Sequence, residues 1–154
     1  MRNLFLAGLT TLALATACKK DDSTPAPTPT IMQLSAVTKM SSANAIPAVT
    51  VPSSGTGDVT GTFDPQSLLL TYNITFSGLS SPATIAHFHF GDARHKGPIV
   101  VTFTNVPQAT SGTITGSAPL SPAQADSLTK GRFYANIHTD NNKAGEIRAN
   151  VQVK

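Results

Sequence analysis

The chain has 154 residues, a formal net charge of +3 and only 12% charged residues, so a sequence pI of about 9.3 reflects scarcity of charge rather than a basic surface. With no basic run, no tryptophan and no regularly spaced aromatics, nothing argues for nucleic acid as a partner. A single cysteine excludes an internal disulfide.

Residues 1–17 have the layout of a secretory signal: Arg2, an apolar stretch from Leu4, and small residues up to Ala17. The apolar stretch is about 14 residues, against the roughly 20 a spanning helix needs. It is therefore expected to be removed. The lone cysteine, Cys18, closes the segment Leu14-Ala15-Thr16-Ala17-Cys18, which resembles a bacterial lipobox with Ala15 where leucine is usual. That resemblance implies a lipidated Cys18 at the start of the mature protein. The alternative is an ordinary secretory signal with an incidental cysteine. Residues 18–30 read as a linker, because Pro25, Pro27 and Pro29 alternate with small residues and favour an extended spacer. Cys18-Lys19-Lys20-Asp21-Asp22 is similar to a tag that some Gram-negative bacteria use to send lipoproteins outward, and reads equally as a generic solvated linker. The expected location is the outer membrane, lipid-anchored on its periplasmic or cell-surface side.

Residues 31–154 suffice for one domain with its own core. Strands are expected at about Met32 to Lys39 and at Val59–Phe63. Leu68 to Ser77 follows, where Leu68, Leu70, Tyr72, Ile74 and Phe76 alternate with mostly polar neighbours. Asp64-Pro65-Gln66 has the chemistry of the intervening turn. Further strands are expected at Ala83 to Phe90, Pro98 to Thr104, Gly112 to Ser117, Arg132 to His138 and Glu146 to Val153. Ser121-Pro122-Ala123-Gln124 places a capping serine, a first-turn proline and a glutamine at the third position, so one short helix is expected near 121–130. The fold class is all-β, an antiparallel Greek-key-like sandwich or barrel of seven to eight strands.

Four spaced motifs then carry a family resemblance: Ala86-His87-Phe88-His89, Gly97-Pro98-Ile99-Val100-Val101, Phe133-Tyr134-Ala135-Asn136-Ile137-His138-Thr139, and Gly145-Glu146-Ile147-Arg148. In this order they resemble the CHRD domain family, named for its occurrence in chordin, over about Leu34 to Val153. The family usually has Glu-Val-Pro-Pro near its start, where this chain has Ala45-Ile46-Pro47-Ala48. The resemblance implies little about activity.

Strand alternation orients the histidines. Ala86, Phe88 and Phe90 share one face and His87 and His89 the other, while Phe133, Ala135 and Ile137 oppose Tyr134, Asn136 and His138. With the phenylalanine faces in the core, His87, His89 and His138 all point away from it. Residues two apart on a strand lie roughly 6–7 Å apart, so two imidazoles can reach one ion and a third from a neighbouring strand would complete a site suited to copper or zinc. A structural role in bonding backbone groups is the alternative. The run His87 to Asp92 followed by Gly97-Pro98 is also similar to the copper-ligand strand of copper/zinc superoxide dismutase. His95 stands where that family has its bridging histidine, but the rest of the family's zinc loop and its cysteines are missing, so a full dismutase site is not supported and His95, in the polar loop Asp92 to Lys96, reads as solvated. Glu146 and Arg148, opposite Ile147 on the last strand, are candidates for orienting a metal-binding histidine, or for a cross-strand ion pair or turn anchor.

No nucleophile elbow, phosphate loop or zinc-finger spacing is present. Two functional readings remain. The first, which the lack of a complete catalytic set favours, is a membrane-anchored, non-enzymatic binding or scaffold module with an extracellular protein partner. The alternative is a copper- or zinc-binding redox or metal-handling protein using His87, His89 and His138.

Overall fold

The structure is a computed structural model and describes Thr28 and residues 30–154. The expected signal segment, Cys18 and most of the proline-rich stretch lie outside the described residues. Among the described residues nine strands are formed: β1 (Met32–Ala36), β2 (Met40–Ser41), β3 (Thr56–Asp64), β4 (Leu69–Ser77), β5 (Ala83–Phe90), β6 (Ile99–Thr102), β7 (Gly112–Pro119), β8 (Phe133–Thr139) and β9 (Ile147–Val153). Eight of them fall where the alternation of apolar residues places them. The ninth, β2, spans two residues, too few for a period to register.

All pairings are antiparallel and run in the order β6-β5-β8-β9-β1-β3-β4-β7, with β2 bridging β3 and β9. The β3–β4 hairpin turns through Asp64, whose carboxylate accepts bonds from the Gln66 N–H (2.8 Å) and the Ser67 hydroxyl (2.6 Å). Leu70, Tyr72, Ile74 and Phe76 are buried from this hairpin. Leu68 instead sits in the turn at φ 58° and is only partly buried.

The two ends of this pairing order fold onto each other to make the sandwich. Tyr72 of β4 meets Phe88 of β5 edge-on at 5.5 Å, and Phe103 packs on both at 4.7 and 4.8 Å. Phe63, Phe133, Ile74, Ile114, Ile137 and Ile147 fill the layer between. Burial of an apolar side chain of this size contributes about 1.5–3 kcal/mol, so the core is the main source of stability. Phe90, grouped by alternation with Phe88, lies at the end of β5 and is 38% exposed. The helix α1 (Pro122–Thr129) has the expected capping box: Ser121 accepts from the Gln124 N–H, and Gln124 accepts from the Ser121 N–H. Its Leu128 anchors it to the core. Among the described residues no helix is long and apolar enough to cross a membrane.

Candidate metal centre

The centre lies on the outer face of β5, β8 and β9. The β5–β8 register sets Ile85 opposite His138, His87 opposite Asn136 and His89 opposite Tyr134; Asn136 in turn pairs with Arg148 on β9. Because side chains alternate across a strand, all of these polar residues share one face. The β5–β6 pairing shifts between Phe88 and His89, passing over Val100. Irregularities of this kind re-aim a side chain beside a site, here His89.

One nitrogen from each of His87, His89 and His138 lies within 4.8 Å of the others, the one such cluster of His, Cys, Asp and Glu among the described residues. Nδ1 of His87 is 3.2 Å from Nε2 of His138. The other two rings are fixed by backbone carbonyls: Lys143 O accepts from His138 Nδ1 at 2.8 Å and Gly97 O accepts from His89 Nδ1 at 3.0 Å. A carbonyl can only accept, so both rings carry a hydrogen on Nδ1, which in a neutral imidazole leaves the lone pair on Nε2. Carbonyls in this position orient metal-binding histidines and fix their tautomer. Nε2 of His89 is buried and has no partner within the protein.

Charge state follows from position. Burial, followed by the proximity of His138 and His89, pushes His87 down from 6.5 to about 4. Burial also lowers His138, against the opposing effect of the Lys143 carbonyl. Both are therefore neutral at physiological pH, the form a metal requires.

The polar face is itself covered. Arg148, 3% exposed, donates through Nη2 to the carbonyls of Asp92 and His95, which holds the 91–98 loop over the sheet. Its guanidinium lies 3.7 Å from the centre of the Tyr134 ring. The opposite neighbour of Tyr134 is His89, whose ring is parallel within 2° at 4.9 Å. Gly145, at φ 117°, passes so close to Asn136 that a Cβ there would come within 2.8 Å of the amide nitrogen. Asn136 and Tyr134 were not singled out from the sequence as site residues, although the outward half of the Phe133–Thr139 alternation contains both.

Glu146 sits elsewhere. Its fully buried carboxylate accepts from Ser53 Oγ (2.5 Å), the Ser80 N–H (2.6 Å), Ser80 Oγ (2.7 Å), Thr139 Oγ1 (2.5 Å) and Asn142 Nδ2 (3.4 Å). Burial acts to raise its pKa, but the bonds from Ser53, Thr139 and Ser80 outweigh it and hold the carboxyl below 4.5. None of these bonds goes to a histidine. Glu146 ties down Thr139 and Asn142 of the 139–146 loop, whose Lys143 carbonyl bonds His138. Arg148 reaches His89 through the Tyr134 ring, not by a direct bond. His95 is exposed and bound to Asp92 at 2.8 Å, outside the cluster.

An all-β sandwich with three histidines, a tyrosine and an arginine gathered on the outside of one sheet defines an extended-strand β-domain with a potential ligand centre. The CHRD domain model matches residues 36–151, and the chain belongs to that family. No curated protein and no solved structure matches it.

Proposed function

We propose that this CHRD domain is held outside the cytoplasm by a lipid on Cys18 and binds a first-row transition metal, copper or zinc, through His87, His89 and His138. The observation that carries the metal reading is the convergence of three imidazole nitrogens within 4.8 Å. Metal–imidazole bonds of roughly 2 Å need ligand nitrogens about 3–4 Å apart. The His87–His138 pair already meets that at 3.2 Å, and a His89 nitrogen lies within 4.8 Å of both. Two of the three rings have the tautomer that presents Nε2, and the third, His87, has only to move its proton from Nδ1 to Nε2. On intrinsic affinity, imidazoles of this kind favour Cu²⁺ over other divalent first-row ions.

Isothermal titration of the untagged protein with Cu²⁺ and Zn²⁺ tests the reading, with an expected stoichiometry of one ion that His138→Ala abolishes. Folded protein that takes up neither ion would leave the domain as a binding or scaffold module on a stalk.

A further inference from the structure

We infer that Arg148, acting through the Tyr134 ring, biases copper at the three-histidine centre towards Cu(I). The inference rests on the metal reading above and adds the oxidation state. Three observations carry it. First, Arg148, Tyr134 and His89 form a continuous stack, with the guanidinium 3.7 Å from the Tyr134 ring centre and that ring parallel to His89 at 4.9 Å. Second, the Arg148 charge is buried and only partly compensated, by the Asp92 carboxylate acting from beyond ion-pair distance. No carboxylate stands within ion-pair distance of it among the described residues; its Nη2 is engaged by two backbone carbonyls, and Nε and Nη1 have no partner within the protein. A charge so placed acts through a medium of low dielectric and is felt at several ångströms. Third, the ligand cluster contains three imidazoles and no anionic group, since the Glu146 carboxylate is committed to Ser53, Ser80, Thr139 and Asn142.

With neutral ligands and a fixed cation behind one of them, Cu²⁺ adds two positive charges to the neighbourhood and Cu⁺ adds one. Taking up one electron from a small thiol, which is oxidised to its disulfide, relieves that repulsion and needs no proton at the centre. Arg148 is thus a positioning residue, in contact with Tyr134 rather than with the metal.

The test is a spectroelectrochemical titration of the full-length, detergent-solubilised protein without a histidine tag, loaded with one equivalent of copper and followed by the Cu(II) EPR signal. Arg148→Met removes the charge, and Arg148→Gln removes it while keeping a donor for the Asp92 carbonyl, so that one variant remains informative if the other fails to fold. The expected result is a shift of tenfold or more in the ratio of Cu(I) to Cu(II) affinity towards Cu(II), equal to about 59 mV or more off the potential for one electron. Arg148→Lys should stay nearer the wild type. If both affinities fall together with the ratio unchanged, or the potential does not move, Arg148 is structural and the inference is overturned while metal binding stands. If the wild type takes up no copper, the metal reading itself falls.

Discussion

Nδ1 of His87 and Nε2 of His138 meet at 3.2 Å across the β5–β8 pair, from positions 51 residues apart in the chain. With Nδ1 protonated on His138, its Nε2 accepts from His87 in the metal-free protein, and a metal would replace that shared proton. Removal of either ring should therefore cost metal affinity directly. Loss of an outer-shell partner typically costs 10–100-fold, so His87→Ala and His138→Ala should each lose about 100-fold or more in a competition titration. A change smaller than threefold in both would show that the ion is bound elsewhere.

Binding to the folded state alone should also stabilise it. An ion at 100 times its dissociation constant adds about 2.7 kcal/mol, readable as a rise in melting temperature that a chelator reverses. The increment should vanish in His89→Ala, whose ring supplies the third ligand. A rise of equal size in that variant would assign the effect to non-specific binding.

How far the centre was legible in the sequence depended on which physical signal carried each part. Alternation alone put His87, His89 and His138 on outward faces, because one strand fixes side-chain direction locally. It could not supply the register that sets Ile85 against His138 and so places His87 diagonally beside it, since pairing between strands this far apart depends on the whole sheet. Nor could it show that the outward face of Tyr134, Asn136 and Arg148 is buried. The loops that cover it, residues 91–98 and 139–146, have no period, and they are held down by bonds such as Arg148 to the Asp92 and His95 carbonyls. Glu146 shows the same limit. Its neighbours in sequence point to an exposed strand residue, whereas Ser53 and Ser80 reach it from 93 and 66 residues away.

Glu146→Gln should destabilise the domain by about 2–3 kcal/mol in chemical denaturation, because bonds to an ionised acceptor are stronger than those to an amide. The Ser53, Ser80 and Thr139 donors would also face a side chain that is itself part donor. An unchanged denaturation midpoint would show that the loops close without the carboxylate.

The pH dependence of that loss follows by linkage. Glu146 has a folded pKa below 4.5, so its contribution is complete above that value and is lost as pH falls through the folded pKa. The stability gap between wild type and Glu146→Gln should narrow only below about pH 4.5. His87 acts in a separate window. Held neutral in the fold down to about 4, it binds a proton more readily when unfolded, so stability falls as pH drops from 6.5 towards 4 in both proteins alike. A gap already closing between pH 6.5 and 5 would contradict the assignment to Glu146.

The anchor can be tested apart from the site. Cys18 precedes the domain and, as the one cysteine, has no disulfide to form, so Cys18→Ser should leave the β-sandwich folded and its metal affinity unchanged. It removes the only thiol to which a lipid can be attached. One acyl chain binds membranes only marginally, but each buried CH₂ adds about 0.8 kcal/mol, and two or more chains anchor a protein stably. Wild-type protein grown with radiolabelled palmitate should carry label and sediment with membranes, whereas Cys18→Ser should carry none and remain unprocessed or be released. Label retained in the variant would place the lipid on another residue, and an unlabelled, soluble wild type would mean that residues 1–18 act as an ordinary secretory signal.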